Sequence, residues 1–279
     1  MKMFRVATNY QSMVARRRLN NLVDNQSKER TKLSSGSRIY QAAFDPSGVA
    51  ISTGMRAKSR SNMQAQRNVN DGISLLQVAE GTLSVMHQIG GRLRELAMQA
   101  ANDTVGDAER VVANKEFRQM VGEVRRLTAS TKFNGNHLIN GEGSVYDLQI
   151  GVNNDPKADR LSYDLKKVLD SENNFGLNSV NILSKEGARA SFSKIDNMIK
   201  DVSSSRAQIG GAMKRMESSY NNLQIGRENL EASKSKIVDT EVASTTANIA
   251  KNEIMKSATT SILSQANTTP QAALKLINA

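Results

Sequence analysis

The sequence contains no cysteine and no tryptophan, and aromatic residues occupy only 4% of its 279 positions. Without cysteine, the chain can form no disulfide, no thiolate metal site and no cysteine nucleophile. With few aromatic residues and 38% hydrophobic residues, a sheet-centred globule with a thick core is not expected. The three prolines and the many Ala, Leu, Met, Gln, Lys and Arg residues favour long helices. We therefore expect a mainly α-helical protein, an elongated rod of antiparallel helices stabilised by packing or self-association.

Histidine is nearly absent as well, since His87 and His137 are the only two. Their separation excludes the i, i+4 pair with which zinc peptidases hold their metal. Gly36 and Gly48 are not followed by the Lys-Ser/Thr pair of a phosphate-binding loop, so we interpret them as turn residues. The sequence predicts no catalytic residue, metal ligand or cofactor-binding residue, and we expect no enzymatic activity.

A long hydrophobic run is also missing. Residues 1–11 read MKMFRVATNYQ, which is not the apolar core of a signal peptide. The longest uncharged stretch lies between Lys256 and Lys275, but it is filled with Ser, Thr, Gln and Asn and would not partition into hydrocarbon. We expect neither a cleaved signal peptide nor insertion into a membrane.

Positive charge is concentrated near the beginning of the chain. Of the net charge of +11, residues 1–70 carry +10, from 13 lysines and arginines and 3 acidic residues. Such an arm is compatible with contact to nucleic acid or to an anionic membrane surface. The alternative, which we favour because no nucleic-acid motif is present, is a helix whose charges are solvated or paired with neighbouring copies. We therefore expect no nucleic-acid partner, and a basic nucleic-acid-binding protein remains the less favoured function.

The strongest repeat in the sequence has the heptad spacing of helices that pack along their length. It runs from Phe192 to Ile237 in steps that alternate between three and four residues. At roughly 1.5 Å per residue this helix would be on the order of 70 Å long, so its partner must be comparably long. The members of the repeat are Phe192, Ile195, Ile199, Val202, Arg206, Ile209, Met213, Met216, Tyr220, Leu223, Arg227, Leu230, Lys234 and Ile237.

Two further apolar stripes precede this helix, over 69–100 and 113–127. The residues between them, 102–107, are rich in turn and helix-capping types, so the two helices are predicted to double back as an αα-hairpin. The stripes consist of Val69, Ile73, Leu76, Ala79, Leu83, Met86, Ile89, Gly90, Leu93, Leu96, Ala97 and Ala100, then Ala113, Phe117, Met120, Val124 and Leu127.

The segment 133–187 breaks the helical pattern with Asn-Gly and Asp-Pro turn signals. Val145, Leu148 and Ile150 alternate with polar residues and predict a strand or hairpin inside it. The segment is too short for a sizeable separate domain.

The two ends of the chain carry weaker apolar stripes that are rich in alanine. Burial yields only roughly 25 cal/mol per Å², and starting a helix is costly. We therefore expect the ends to become helical when they pair with each other and with other copies, with separate disordered tails as the alternative. The residues predicted to pack there are Met3, Val6, Tyr10, Met13, Ala247, Ala250, Ile254, Ala258 and Ile262.

Ordered motifs along the whole chain resemble those of bacterial flagellin. The N-terminal ones are LSSGSRI at 33–39, DPSGVAI at 45–51, RNVNDGIS at 67–74, AEG at 79–81 and RLRELAMQA at 92–100. Those that follow are FNG at 133–135, LQIG at 148–151 and ILSQAN at 262–267, with Pro270 and Leu274. Any one of these motifs is a weak signal, but together and in order they are highly specific.

This resemblance implies a structural subunit that polymerises into the hollow filament of a motility organelle. Its inner layer would pair the terminal helices within 1–40 and 240–279, inside a helical rod layer formed by 41–132 and 188–239. The region 133–187 would supply a short β-hairpin of the rod layer, and the large outer domains of longer members would be missing.

The resemblance also implies where the subunit works and what it meets. It would be exported through the flagellar type III apparatus without a cleaved signal peptide and would lie outside the cell in the flagellum. Its partners would be other copies of itself, the export apparatus and an export chaperone, and the hook-junction and cap proteins.

Five residues match, by the same resemblance, the positions at which flagellins meet the vertebrate Toll-like receptor that senses them. We favour ordinary subunit packing as their native role. Four are expected to line one side of a helix, with the fifth nearby on the returning helix. They are Arg92, Arg94, Leu96, Gln99 and Glu116.

The nearest alternative function is that of a hook–filament junction protein, which resembles flagellin at both ends and shares its export route. The run 67–74 and the ending QAN at 265–267 are closer to flagellin than to the junction protein.

Overall fold

The computed structural model describes residues 8–139, 145–164 and 171–277. Most of these residues are helical, which confirms the predicted fold class. The α-helices are α1, Tyr10–Ser35; α2, Pro46–Ala100; α3, Asp107–Ser130; α4, Lys185–Val238; and α5, Val242–Ile277. Short strands β1, Lys132–Phe133; β2, Asn136–His137; β3, Val145–Gln149; and β4, Arg160–Asp164 lie between α3 and a 3-10 helix at Ser171–Ser179. None of the helices in the described part of the chain is long and apolar enough to cross a membrane.

The chain divides into two compact units. The first comprises Met1–Ala57 and Asn229–Ala279, and the second comprises Lys58–Glu228. The boundaries lie inside α2 and α4, whereas the predicted boundaries near residues 40 and 240 fall in the connections between helices. The predicted assignment of segments to filament layers stays a prediction.

In the second unit, α2 buries the apolar stripe that the sequence indicates. Val69, Ala79, Leu83, Met86 and Leu93 are fully buried in one continuous hydrophobic cluster. The same cluster takes Phe117 and Val124 from α3, as expected for helices whose apolar residues recur every three or four positions.

The buried face of α4 differs from the predicted seam in one of its two rows. Ile195, Val202, Ile209 and Met216 are fully buried as predicted, but Phe192, Ile199, Arg206 and Met213 are only partly buried. The second buried row lies one residue earlier and is formed by Ser191, Met198, Ser205 and Ala212. The seam prediction was wrong here because it selected large side chains, whereas the buried row consists mostly of small ones. The partly buried Phe192, Ile199 and Met213 pack against the edge of the cluster.

The predicted αα-hairpin between α2 and α3 is present, and one arginine organises its turn. Because the last carbonyls of a helix have no partner within it, the end of α2 needs external donors. The guanidinium of Arg110 donates to the carbonyl oxygens of Ala100 and Asn102, at 3.0 Å each. It also pairs with Asp107 at 2.9 Å, where α3 begins.

Two antiparallel hairpins, rather than a single one, follow α3. β1 pairs with β2 through a turn in which Asn134 has φ 49° and Gly135 has φ 84°, as a tight Asn-Gly turn requires. β3 pairs with β4 from Val145 opposite Asp164 to Gln149 opposite Arg160. β3 confirms the strand predicted near Val145.

The second hairpin packs on α2 at a glycine. A Cβ atom on Gly72 would lie 2.7 Å from Cδ1 of Leu148 and 3.2 Å from Cε of Met216. The amide of Asn68, one helical turn earlier, donates to the carbonyl oxygen of Gln149 at 3.1 Å. The missing side chain at position 72 therefore lets the hairpin approach the helix closely.

Candidate assembly surfaces

The terminal helices α1 and α5 pair antiparallel in the first unit, and their facing residues repeat in steps of three and four. The most deeply buried of these residues are small or polar, and the large apolar ones are only half-buried. The most buried are Ala15 and Gln26 on α1 and Thr245, Thr259 and Ala266 on α5, each with 6% of its surface exposed or less. Leu19, Leu22, Ile249 and Leu263 continue the two rows and are half-buried. We call these nine residues the terminal seam.

Hydrogen bonds at and beside the terminal seam also join α1 to α5. Near the start of α1, the amide of Asn9 donates to the carbonyl oxygen of Ala266 at 2.7 Å, and the hydroxyl of Ser12 donates to the amide oxygen of Asn267 at 2.8 Å. Further along, the amide of Gln26 donates to the carboxylate of Glu253. These contacts join the two helices through polar groups whose hydrogen bonds water could supply if the helices separated.

Glu253 is the most heavily engaged acid of the pair. The hydrogen bond from Gln26 and the charges of Lys256 and Arg30 lower the pKa of its carboxyl group. Its oxygens lie 3.8 Å from Nζ of Lys256 and 3.9 Å from Nη2 of Arg30. The three charged groups are solvent-accessible, so each ion pair contributes modestly.

The residues predicted to pack at the termini do not form the terminal seam. Within the single chain Tyr10, Met13, Ile254 and Ile262 are 73%, 63%, 71% and 61% exposed, so their packing against other copies stays a prediction. Ala247, Ala250 and Ala258 are exposed too, while Met3 and Val6 lie outside the described residues. The predicted residues of α5 do lie on one face of the helix, but that face is directed away from α1.

Helical geometry explains this outward direction. At 100° per residue, positions 247, 250, 254, 258 and 262 fall within one face of α5, and the seam residues Thr245 and Thr259 fall on the opposite face. Tyr10 and Met13 lie in the same way opposite Ala15 on α1. We call these residues together the exposed stripe: Tyr10 and Met13 on the outward face of α1, and Ala247, Ala250, Ile254, Ala258 and Ile262 on the outward face of α5. Both parts lack a covering helix within the described chain.

A groove runs beside the exposed stripe between the two helices. Its volume is ≈ 380 Å³, and Tyr10, Val14 and Arg18 line it from α1 while Ile262 and Gln265 line it from α5. The adjacent Arg16 and Arg17 are also exposed. The basic character of the N-terminal segment is therefore displayed at the surface of this helix pair.

The second predicted site divides into residues with different surroundings. Arg92 pairs with Glu116 on α3 at 2.8 Å and with Glu95 at 3.0 Å, which raises the pKa of its guanidinium through hydrogen bonds to Glu116 and then Glu95. Arg94 instead pairs with Asp196 on α4 at 2.7 Å. The expectation that both line one side of α2 was wrong, because positions two apart are separated by about 200° around a helix.

Of the remaining residues in that set, one is not available to any partner. Leu96 is 2% exposed and belongs to the hydrophobic core, whereas Gln99 is exposed. The surface that the structure offers therefore consists of Arg92, Gln99 and Glu116, with Arg94 on the other flank of the helix.

Comparison with known proteins shows the family of this chain. The model of the bacterial flagellin N-terminal helical region matches residues 6–144, and that of the C-terminal helical region matches residues 192–277. A flagellin from Halalkalibacterium halodurans is 37% identical over 269 residues, which cover 96% of this chain and 98% of that protein. The chain belongs to the bacterial flagellin family.

Other flagellin relatives are also similar to this chain. A flagellar filament 30.7 kDa core protein from Treponema maltophilum is 34% identical over 282 residues, covering 97% of this chain and 98% of that protein. The crystal structure of Bacillus cereus flagellin is matched with a TM-score of 0.50 and 26% identity, over 56% of this chain and 88% of that one.

A further solved structure supports the fold alone. A protein described as flagellar hook-associated, from Vibrio parahaemolyticus, is matched with a TM-score of 0.59 over 70% of this chain and all of that one, at 14% identity.

Sequence reasoning missed the role of Arg38, which lies in the first flagellin-like motif. Its guanidinium contacts both the end of α4 and Asp45 at the start of α2. Two neighbouring signals were visible in the sequence: Gly36, which ends α1 with φ 65°, and the Asp45-Pro46 pair at which α2 begins. No sequence signal connected Arg38 to residue 237, because that contact joins distant parts of the chain.

Proposed function

We propose that this chain is a structural, non-catalytic subunit of the bacterial flagellar filament, and that it works by polymerising with copies of itself. The observation that carries this proposal is the exposed stripe of the terminal helix pair. Large apolar side chains such as Tyr10, Ile254 and Ile262 lie in water in the single chain. Exposed apolar faces of this kind mark surfaces for association.

Polymerisation supplies what the terminal seam lacks. The fully buried side chains of the seam are alanine, threonine and glutamine, and its leucine and isoleucine side chains are only half-buried, so its hydrophobic free energy is modest at about 25 cal/mol per Å². Covering the two parts of the exposed stripe with neighbouring copies would bury the larger residues and stabilise both helices. The terminal helices would then be ordered most firmly in the assembled filament.

The family relationship motivates further proposals about the life of the subunit. It would be exported through the flagellar type III apparatus with an export chaperone, without a cleaved signal peptide. Outside the cell it would add to a hollow filament between hook-junction and cap proteins and serve swimming motility. Its location would be the extracellular flagellum.

A hook–filament junction protein is the second candidate. The hook-associated structure shares the fold at 14% identity, whereas the flagellin from Halalkalibacterium halodurans is 37% identical over nearly the whole chain. Full-length similarity at this level favours the filament subunit. The copy number in isolated flagella distinguishes the two, because a filament contains thousands of copies and a junction forms only a ring.

Contact with an innate immune receptor is a further proposal for the surface around Arg92. In the single chain Arg92 is already paired with Glu95 and Glu116, so a receptor would have to compete with these groups. Replacing Arg92 with alanine in a receptor-binding assay tests the idea, and unchanged affinity would exclude this residue.

The polymerisation proposal is tested by adding a charge to the exposed stripe. Ile254→Asp places a carboxylate at the centre of the face that other copies would cover, and burying it is costly. We expect the purified variant to remain in the supernatant under conditions in which the wild type sediments as filaments. Ser264→Asp, which adds the same charge at an exposed polar position of α5, is the matched control. Wild-type filament yield from Ile254→Asp would contradict the proposed use of this face.

Deleting either end provides a coarser test. Variants lacking residues 1–33 or 250–279 lose one side of the terminal helix pair, and we expect neither to form long filaments by electron microscopy. Normal filaments from either variant would show that terminal pairing is dispensable for assembly.

A further inference from the structure

The connection between α1 and α2 and the connection between α4 and α5 are held together by backbone hydrogen bonds in the first unit. Ser37 forms an isolated antiparallel bridge with Asp239. The N–H of Arg38 donates to the carbonyl oxygen of Val238 at 2.7 Å, and the N–H of Thr240 donates to that of Gly36 at 3.0 Å. The end of α1 is therefore fixed beside the start of α5.

The side chain of Arg38 adds a second set of contacts at the same place. Its Nε and Nη2 atoms donate to the carbonyl oxygen of Ile237 at 3.1 Å and 2.8 Å. This carbonyl belongs to the last turn of α4, where acceptors have no partner within the helix. One guanidinium thus caps the end of α4 from the neighbouring connection.

The same guanidinium reaches the beginning of α2. Nη2 of Arg38 lies 3.2 Å from Oδ2 of Asp45, while Oδ1 of Asp45 accepts from the N–H of Gly48 at 2.8 Å and caps α2. The hydrogen bond from Gly48, followed by Arg38, lowers the pKa of the Asp45 carboxyl group. A side chain at position 48 would displace this cap, because a Cβ atom there would lie 2.5 Å from Oδ2 of Asp45.

This arrangement matters because the terminal seam is weak on its own. Two helices whose deeply buried contacts are polar or small, and whose leucine and isoleucine side chains stay half-buried, gain only modestly from meeting in water. The two helices belong to one chain, and holding one end of each beside the other raises the effective concentration at which they meet. The two connections have to be held rigidly, since flexible connections would lower this effective concentration.

We propose that Arg38 is a positioning residue that locks the two connections together and thereby makes α1 and α5 pair along their whole length. It acts on the pairing through the connections, since the guanidinium itself contacts neither α1 nor α5 in the described hydrogen bonds and ion pairs. The inference concerns the single chain and goes beyond the proposed function, so it stands whether or not copies polymerise.

The absence of cysteine makes a direct test possible. Ser12→Cys and Asn267→Cys place two thiols at the end of the helix pair that is far from Arg38, where the native side chains lie 2.8 Å apart. A short bis-maleimide then joins the thiols whenever the helices are paired. The rate of intramolecular cross-linking is measured by gel mobility at a concentration where sedimentation velocity shows monomers.

We expect Arg38→Gln to slow this cross-linking about fivefold or more, because hydrogen bonds from charged groups to the α4 carbonyl and to Asp45 are lost. Arg38→Lys, which keeps the charge, should restore part of the rate. Asp45→Asn, which keeps a capping oxygen for Gly48 but removes the ion pair, should fall between wild type and Arg38→Gln. Arg56→Gln, which removes an exposed arginine from α2 in the same unit, should leave the rate within about twofold of wild type.

The outcome that overturns the proposal is equally specific. If Arg38→Gln cross-links at the wild-type rate while hydrogen exchange shows lost protection only in the last turn of α4, Arg38 is a local helix cap. Equal slowing by Arg38→Gln and Arg56→Gln would also overturn it, because general loss of positive charge would then be the cause. Since cross-linking is measured on monomers, a failure here is distinguishable from a failure to form filaments.

Discussion

Ile199 of α4 packs directly over Gly90 of α2, where a Cβ atom would come within 2.8 Å of its Cγ1 atom. The glycine thus provides the space into which one helix inserts a large side chain from the other. Gly91, the next residue, has open space around its Cβ position. Two adjacent glycines of the same helix therefore have opposite requirements.

Gly90→Ala is expected to destabilise the second unit by about 1–3 kcal/mol, because the added methyl group forces Ile199 out of its position. Gly91→Ala is the matched control and is expected to stabilise the helix by about 0.5–1 kcal/mol. Urea denaturation followed by circular dichroism measures both. Destabilisation of equal size in the two variants would contradict the close approach at Gly90.

Met216→Asp places a carboxylate in the fully buried row of α4. We expect several kcal/mol of destabilisation, since the charge finds no compensating partner in an apolar cluster. Ser218→Asp, two residues later and exposed, should change the free energy of unfolding by less than about 0.5 kcal/mol. Urea denaturation of both variants measures this, and equal unfolding midpoints would contradict the burial of Met216.

Acidification is expected to loosen the terminal helix pair through Glu253. Its pKa in the folded chain is lowered, first by the hydrogen bond from Gln26 and then by Lys256 and Arg30. A lowered folded-state pKa stabilises the pair above the ordinary pKa of glutamate, about 4.3, and this contribution is lost as the pH falls through the folded value. The helical circular dichroism signal of the monomer should decrease in that range, and Glu253→Gln should remove that part of the pH dependence. A Glu253→Gln profile identical to wild type would assign the effect to other carboxylates.

Tyr163 on β4 is expected to ionise only in strong base. Burial raises the pKa of its hydroxyl group to about 12, and the hydroxyl has no hydrogen-bond partner in the described part of the chain. Because the pKa of an unfolded tyrosine is about 10, the free energy of unfolding should fall as the pH rises from that value towards the folded-state pKa. Ultraviolet titration of wild type against Tyr163→Phe measures this group by difference, and a step near pH 10 in the difference curve would show that the hydroxyl is solvated and contradict the prediction.

How much of the structure could be predicted depended on how much each region relies on apolar burial. The stripes of α2 and α3 were predictable because residues such as Leu83 and Phe117 combine large apolar side chains with regular spacing. The second row of α4 was not, because Ser191 and Ser205 are buried through their small size rather than their hydrophobicity. A search for large apolar residues passes over such positions.

The candidate surfaces could also be predicted only in part from the sequence. The apolar residues of α5 were found, but their direction was not, because the buried positions of the terminal seam include polar side chains such as Gln26 and Thr259. Sequence periodicity indicates that a face is apolar without indicating which neighbour covers it. The contacts of Arg38 with Ile237 and Asp45 join residues far apart in sequence, so a single sequence contained no signal for them.

The polar chemistry of the terminal seam has a thermal consequence. The heat capacity change of unfolding grows with the apolar area that becomes exposed and is reduced by polar area. Separation of α1 from α5 should therefore carry a small heat capacity change and a low enthalpy, and it should proceed gradually on warming. Unfolding of the cluster around Leu83 and Phe117 should absorb heat in a sharper peak at higher temperature. A calorimetric scan of the monomer would then show a broad shoulder before its main transition.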